Sequence, residues 1–147
     1  MSLFKAMDIS SSGLAAQRIR MNILSANLAN AQTTRGGPGG GPYRRKDVVF
    51  SAVPAAKPFE NLILDPNFGT QISKVKVADI HTDPSPPKRV FDPSNADADK
   101  DGYVEMPNIQ PMTEMVNMIT ATRSYEANTT ALNNAKQMAM KALEIGR

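Results

Sequence analysis

The 147-residue chain has no cysteine, no tryptophan and one histidine. Without cysteine there can be no disulfide and no thiolate metal site, although an oxidising compartment remains compatible with the composition. The lone histidine, His81, would have to anchor any Ser–His–acid nucleophilic arrangement. Its neighbours Thr82, Asp83 and Pro84-Ser85-Pro86-Pro87 instead read as an exposed loop. No enzyme is expected, and no cofactor. Apolar runs are only a few residues long, far short of the ~20 that a spanning helix needs. Near the start, Asp8, Ser10-Ser11-Ser12, Gln17, Arg18 and Arg20 interrupt any secretory h-region, so the expectation is a chain without a cleaved leader.

Proline is also missing from both ends. All eleven prolines lie between Pro38 and Pro111. The flanks carry apolar residues at helical spacing, and a lone helix cannot bury such a stripe. Aromatics make up only 5% of the chain, whereas there are nine methionines, whose flexible side chains suit shared or irregular contacts. A large private core is therefore not expected. A net charge of +3, from 17 basic and 14 acidic residues spread along the length, speaks for solubility rather than for a polyanionic partner.

In the N-terminal segment Met7, Leu14, Met21 and Leu28 recur every seven residues, with Leu3, Leu24 and Ala31 between them. This predicts a helix over about 2–32 with a narrow apolar seam and a weak point or kink at Gly13. The run Gly36-Gly37-Pro38-Gly39-Gly40-Gly41-Pro42 ends it. From Pro111, suited to a first helical turn, a second helix is predicted, with Glu114 placed favourably for the helix dipole. Met118, Tyr125, Leu132 and Ala139 recur every seven residues, with Met115, Thr122, Thr129 and Leu143 alongside. At ~1.5 Å per residue the helices reach about 40 and 48 Å, and their similar lengths suit an antiparallel pair.

Between them the chain alternates short strand-like pieces with prolines. The candidates are 47–53, 72–77, 88–91 and 102–105. The predicted fold class is α+β: long N- and C-terminal helices paired as an antiparallel coiled coil, with a small Pro/Gly-rich centre containing short strands. The divisions are 1–35, 36–110 and 111–147.

Two motifs suggest chemistry. Asp97-Ala98-Asp99-Lys100-Asp101-Gly102 resembles the first half of a calcium loop, but its twelfth position is Asn108 rather than a bidentate Glu. An acidic turn is the plainer reading. Tyr43-Arg44-Arg45-Lys46 follows the glycine run without the Gly-Lys-Ser/Thr of a phosphate loop. Its three basic residues read better as a strand edge or a patch for an acidic neighbour than as a nucleic-acid site.

Asn22-Ile23-Leu24-Ser25-Ala26-Asn27-Leu28-Ala29-Asn30-Ala31 resembles the Asn-Leu-Ala-Asn signature of the axial proteins of the bacterial flagellum, the rod and hook subunits. The stretch from Gly41, Pro42 and Tyr43 to Phe50, the segment Arg123-Ser124-Tyr125-Glu126-Ala127-Asn128 and the C-terminal Lys136–Arg147 narrow the likeness to the proximal rod. The resemblance implies a non-enzymatic subunit of the basal-body drive-shaft, exported through the flagellar type III apparatus. Its partners would be copies of itself, other proximal and distal rod proteins, and the export-apparatus proteins at the rod base. The implied assembly seam comprises Leu3, Met7, Leu14, Met21, Leu24 and Leu28 with Met115, Met118, Tyr125, Leu132 and Leu143. A calcium-binding module and a free-standing helical adaptor are the rival readings.

Overall fold

The computed structural model describes residues 3–36, 40–54 and 73–145. Its elements in chain order are α1 (Leu3–Ala29), β1 (Lys46–Pro54), β2 (Ser73–Thr82), β3 (Lys88–Phe91), β4 (Tyr103–Met106) and α2 (Pro111–Ile145). The fold class is α+β. The sequence-predicted strand position Ile72 lies outside the described residues, as do Gly37, Pro38, Gly39 and the last two residues of the C-terminal motif.

Helix α1 runs unbroken through Gly13 for 27 residues, so the weak point does not divide it. The hydroxyls of Ser11 and Ser12 donate to the carbonyls of Asp8 and Ile9, so they are satisfied within the helix. The helix stops at Ala29, short of the expected Gln32. Both the backbone N–H and the side-chain Nδ2 of Asn30 donate to the Ala26 carbonyl, at 3.1 and 2.8 Å. In α2, Pro111 occupies the first turn, and the Glu114 N–H donates to the Gln110 carbonyl at 3.1 Å. Thr120, Thr122, Ser124, Thr129 and Thr130 each donate to the carbonyl four residues back, so this hydroxyl-rich sequence satisfies its polar groups within the helix.

Helix α1 lies along α2, and β1 and β2 lie against α1. Contacts along the helix pair run in opposite directions: Gly13 meets Asn128, Met21 meets Thr122, and Asn27 meets Glu114. β1 and β2 form an antiparallel ribbon whose register shifts between Val49 and Phe50, leaving Ala78 as the extra residue of a bulge. One end of this ribbon is bonded to Asn27 through Lys46. At the other end the Val75 N–H donates to the Ser12 hydroxyl at 3.2 Å, and Lys74 pairs with Asp8. Six strand steps from Lys46 to Ala52, the partner of Val75, span about 20 Å. Fifteen helix steps from Ser12 to Asn27 span about 22 Å, so ribbon and helix match in length.

β3 and β4 make a second two-stranded sheet. Gly102 sits before β4 at φ 77°, with the Phe91 ring 3.0 Å from where a Cβ would stand. No larger residue fits there without moving that ring.

The core is small. Among the described residues the buried apolar side chains are Ala16, Leu24, Val104, Pro107, Ala121 and Ala135, joined by the polar Asn27 and Glu114. On α2 the buried residues Glu114, Ala121 and Ala135 fall in one seven-residue phase, and Asn128 completes it. That phase lies one residue before Met115 and Thr122. Met115 is 44% exposed and Leu143 is 74% exposed, so much of each side chain is left for contacts beyond the helix pair. Small side chains let the backbones approach along the buried line, and the large methionine and leucine lie on its flanks.

Candidate functional site

Four segments converge where α1 ends and α2 begins. Asn27 is fully buried and uses every hydrogen-bonding position of its amide. Its Nδ2 donates to the Lys46 carbonyl at 2.7 Å and to Glu114 Oε2 at 3.0 Å. Its Oδ1 accepts from the Lys46 N–H at 3.0 Å and from the Tyr43 hydroxyl at 3.1 Å. The side chain thus bonds Lys46 as a neighbouring strand's peptide group would, and β1 starts at that residue.

Glu114 is equally buried. Its Oε1 accepts from Arg45 Nε at 2.8 Å, and Arg45 also reaches Asp47 Oδ2 at 3.3 Å. A carboxylate in the first turn of a helix is favoured by the dipole, but burial makes the arginine partner essential. The hydrogen bond to Glu114 is the main cause that raises the Arg45 guanidinium above its ordinary value, against the opposing cost of desolvation. Burial, and secondarily the Glu114 charge, raise the Tyr43 phenol. The Lys46 ammonium lies 5.8 Å from the centre of the Tyr43 ring.

The connector leading to this junction is tied at its base, where the Tyr43 N–H donates to the Thr33 carbonyl at 3.2 Å. Asn30 Oδ1 accepts from the Thr33 hydroxyl at 3.2 Å. Farther out, Asp97 engages both of its oxygens, one with Arg35 at 2.5 Å and one with the Thr34 hydroxyl at 2.6 Å. This use of Asp97 fits the acidic-turn reading of the segment. Asp99 Oδ1 accepts the Lys100 N–H, and among the described residues no three His, Cys, Asp or Glu side chains are grouped to hold a metal ion. The acidic turn is an anchor for the connector.

Of the basic run, Arg45 turns inward to Glu114 while Arg44 and Lys46 stay exposed. His81 is exposed on β2 opposite Asp47.

Among the seam candidates, Leu24 is buried, and Met7, Leu14, Met21, Leu28, Met118, Tyr125 and Leu132 are half-buried. The Leu3 side chain lies outside the described residues. Of the motif residues, Asn27 and Tyr43 meet in the junction and Asn30 caps α1. Gly41 and Pro42 lie on the connector, next to a cleft of about 250 Å³ that Asp83, Glu105 and Asn108 also line. Ser124, Tyr125 and Asn128 are half-buried, while Ala29, Arg123, Glu126 and Ala127 face outward. Sequence reading missed the roles of Arg45, Glu114 and Asp97. For Glu114 a signal existed: it shares its heptad phase with Ala121 and Ala135.

Residues 7–35 match the family described as flagella basal body rod protein, and residues 100–145 match the flagellar basal body rod FlgEFG protein C-terminal family. The "Flagellar basal-body rod protein FlgC" of Bacillus subtilis is 44% identical over 152 residues, covering 100% of both chains. The protein of the same name from Yersinia enterocolitica is 44% identical over 147 residues, again covering 100% of both. That of Aquifex aeolicus is 44% identical, covering 98% of this chain and 97% of its own. The chain belongs to the FlgC family of flagellar basal-body rod proteins. FlgC-family proteins are structural rod subunits rather than enzymes, so their working parts are contacts. The two matched segments hold α1 from Met7 onward with its Asn30 cap, and β4 with α2. They contribute Asn27 and Glu114 to the junction, and Gly13 and Asn128 to the seam.

Proposed function

We propose that this chain builds the proximal part of the rod, polymerising through its terminal helices as an antiparallel coiled coil whose outer faces dock on neighbours. One observation carries the reading. Met112, Met115, Val116 and Ile119 are exposed on α2 at the i, i+3, i+4, i+7 spacing of a single helix face. A second exposed apolar group, Phe4 with Met138, Leu143 and Ile145, belongs to the opposite end of the antiparallel pair. If assembly covers ~800 Å² of apolar surface, the gross gain is about 20 kcal/mol before the costs of association.

The neighbours are other proximal and distal rod proteins, further copies and the proteins at the rod base. The three-part division assigns polymerisation to 1–35 and 111–147 and outward contacts to 36–110. Export proceeds through the flagellar type III system, a route that suits chains whose helices complete their burial on docking.

The test is complementation of a flagellated strain lacking its own subunit. Ile119→Asp on the outer face is expected to abolish rod assembly and motility while the purified chain keeps its helical circular dichroism. Leu132→Asp, in the half-buried line against α1, is expected to lose both, and His81→Ala neither. Normal motility with Ile119→Asp would remove the outer face from the proposal.

A further inference from the structure

We infer that Asn27 and Glu114 make docking of the connector a condition for closing the adjacent end of the helix pair. Of the four hydrogen bonds that Asn27 makes, only the one to Glu114 comes from the opposite helix. The other three come from Tyr43 and the Lys46 backbone. Glu114 takes its charge partner from the same segment, through Arg45.

Were the helices to pair with the connector undocked, Asn27 Oδ1 would be buried with no donor, and the Glu114 carboxylate with no cation. An unmatched buried polar group costs about 1–3 kcal/mol, and an unpaired buried charge costs more. Helix pairing without the connector therefore stops short of Asn27. Among the described residues no other buried polar side chain of the line takes its partners from the connector: Ala121, Ala135 and the Gly13–Asn128 contact lie within the two helices, and Gln17 Oε1 is buried without a partner even with the connector docked. Arg45 also bonds Asp47 in β1, so the condition extends to the start of the ribbon. The junction makes ordering of the connector and closure of the helix ends one step, and whatever displaces the connector opens the helices there.

Hydrogen exchange on the full-length chain tests this. Arg45→Met leaves Glu114 charged and unpaired. It is expected to speed exchange at least about ten-fold in the last turns of α1 and the first turns of α2, while amides around Ala121 to Ala135 keep wild-type rates. Arg45→Met combined with Glu114→Gln removes the buried charge and is expected to separate the two segments, with the connector loosened and the helix ends protected again. If Arg45→Met prevents folding, Tyr43→Phe withdraws a single donor and gives the same local contrast at smaller size. Uniform acceleration along both helices, or a loosened connector beside unchanged helix ends in Arg45→Met or Tyr43→Phe, overturns the inference. So does a double variant whose helix ends stay as open as in Arg45→Met.

Discussion

Gly13 of α1 and Asn128 of α2 meet so closely that a methyl group on Gly13 would stand 3.1 Å from the Asn128 Nδ2. That nitrogen also donates to the Ser124 carbonyl at 2.9 Å, which holds the amide flat against its own helix. The glycine costs α1 about 1 kcal/mol of helix propensity and gives in return a close approach of the two backbones.

Gly13→Ala should accordingly change stability by no more than about 1 kcal/mol, because the recovered propensity is spent in displacing Asn128. Gly13→Leu should cost at least about 2 kcal/mol by forcing the helices apart. Adding Asn128→Ala to Gly13→Ala should give a chain more stable than the sum of the single changes predicts. Urea titrations of the four variants measure that coupling.

Asn27→Ala should cost about 3 kcal/mol or more, since it strips partners from Lys46, Tyr43 and Glu114 together. Asn27→Asp should be worse despite its similar shape. It replaces a donor facing Glu114 with a second negative charge and removes the donor to the Lys46 carbonyl. Thermal melts ranking Asn27→Asp above Asn27→Ala would contradict this account of the junction.

The Tyr43 phenol is held above its ordinary value of 10.0, first by burial and then by Glu114. A group raised in this way stabilises the fold fully below pH 10.0 and loses that contribution as pH rises through the folded value. Stability should therefore fall on alkaline titration as the hydroxyl that donates to Asn27 is lost, and Tyr43→Phe should flatten that part of the profile. Denaturation curves at increasing alkaline pH, read beside phenolate absorbance, check both statements.

Asp97→Ala should release Arg35 and Thr34 and speed proteolytic cutting between Thr34 and Gly41, with little change in global stability. Arg35 is largely exposed, and such pairs contribute at most about 1 kcal/mol. Calorimetry with calcium on the unaltered chain should show no micromolar binding, because both Asp97 oxygens are already engaged.

Much of the architecture could be read from the sequence. Proline confinement and the heptads marked both helices, and three of the short apolar pieces are strands within a residue of their expected bounds, while β2 runs five residues past its expected end and takes in His81 and Thr82, which had read as loop. What the sequence concealed follows from one physical bias. Periodicity weighs large apolar residues most, so Met118, Tyr125 and Leu132, with Met115 and Leu143 alongside, suggested the phase of the α2 seam. The buried phase belongs to Ala121, Asn128 and Ala135, small or polar side chains that permit close approach. Gly13 read as a weak point for the same reason, since its value appears only once Asn128 lies over it. The partners of Asn27 could not be seen either, because Lys46 and Glu114 are 19 and 87 residues away along the chain.

The small residues along the helix pair have a mechanical consequence. Sliding one helix along the other by a single turn, about 5.4 Å, would carry Asn128 off the bare backbone of Gly13 and against the side chain of Ile9 or Gln17. The helices would have to ride apart before they could move. Two heptads away, the same slide would pull Glu114 from Asn27. Gly13 with Asn128 within the shared length and Asn27 with Glu114 at one end thus act as two notches, and the pair resists axial sliding.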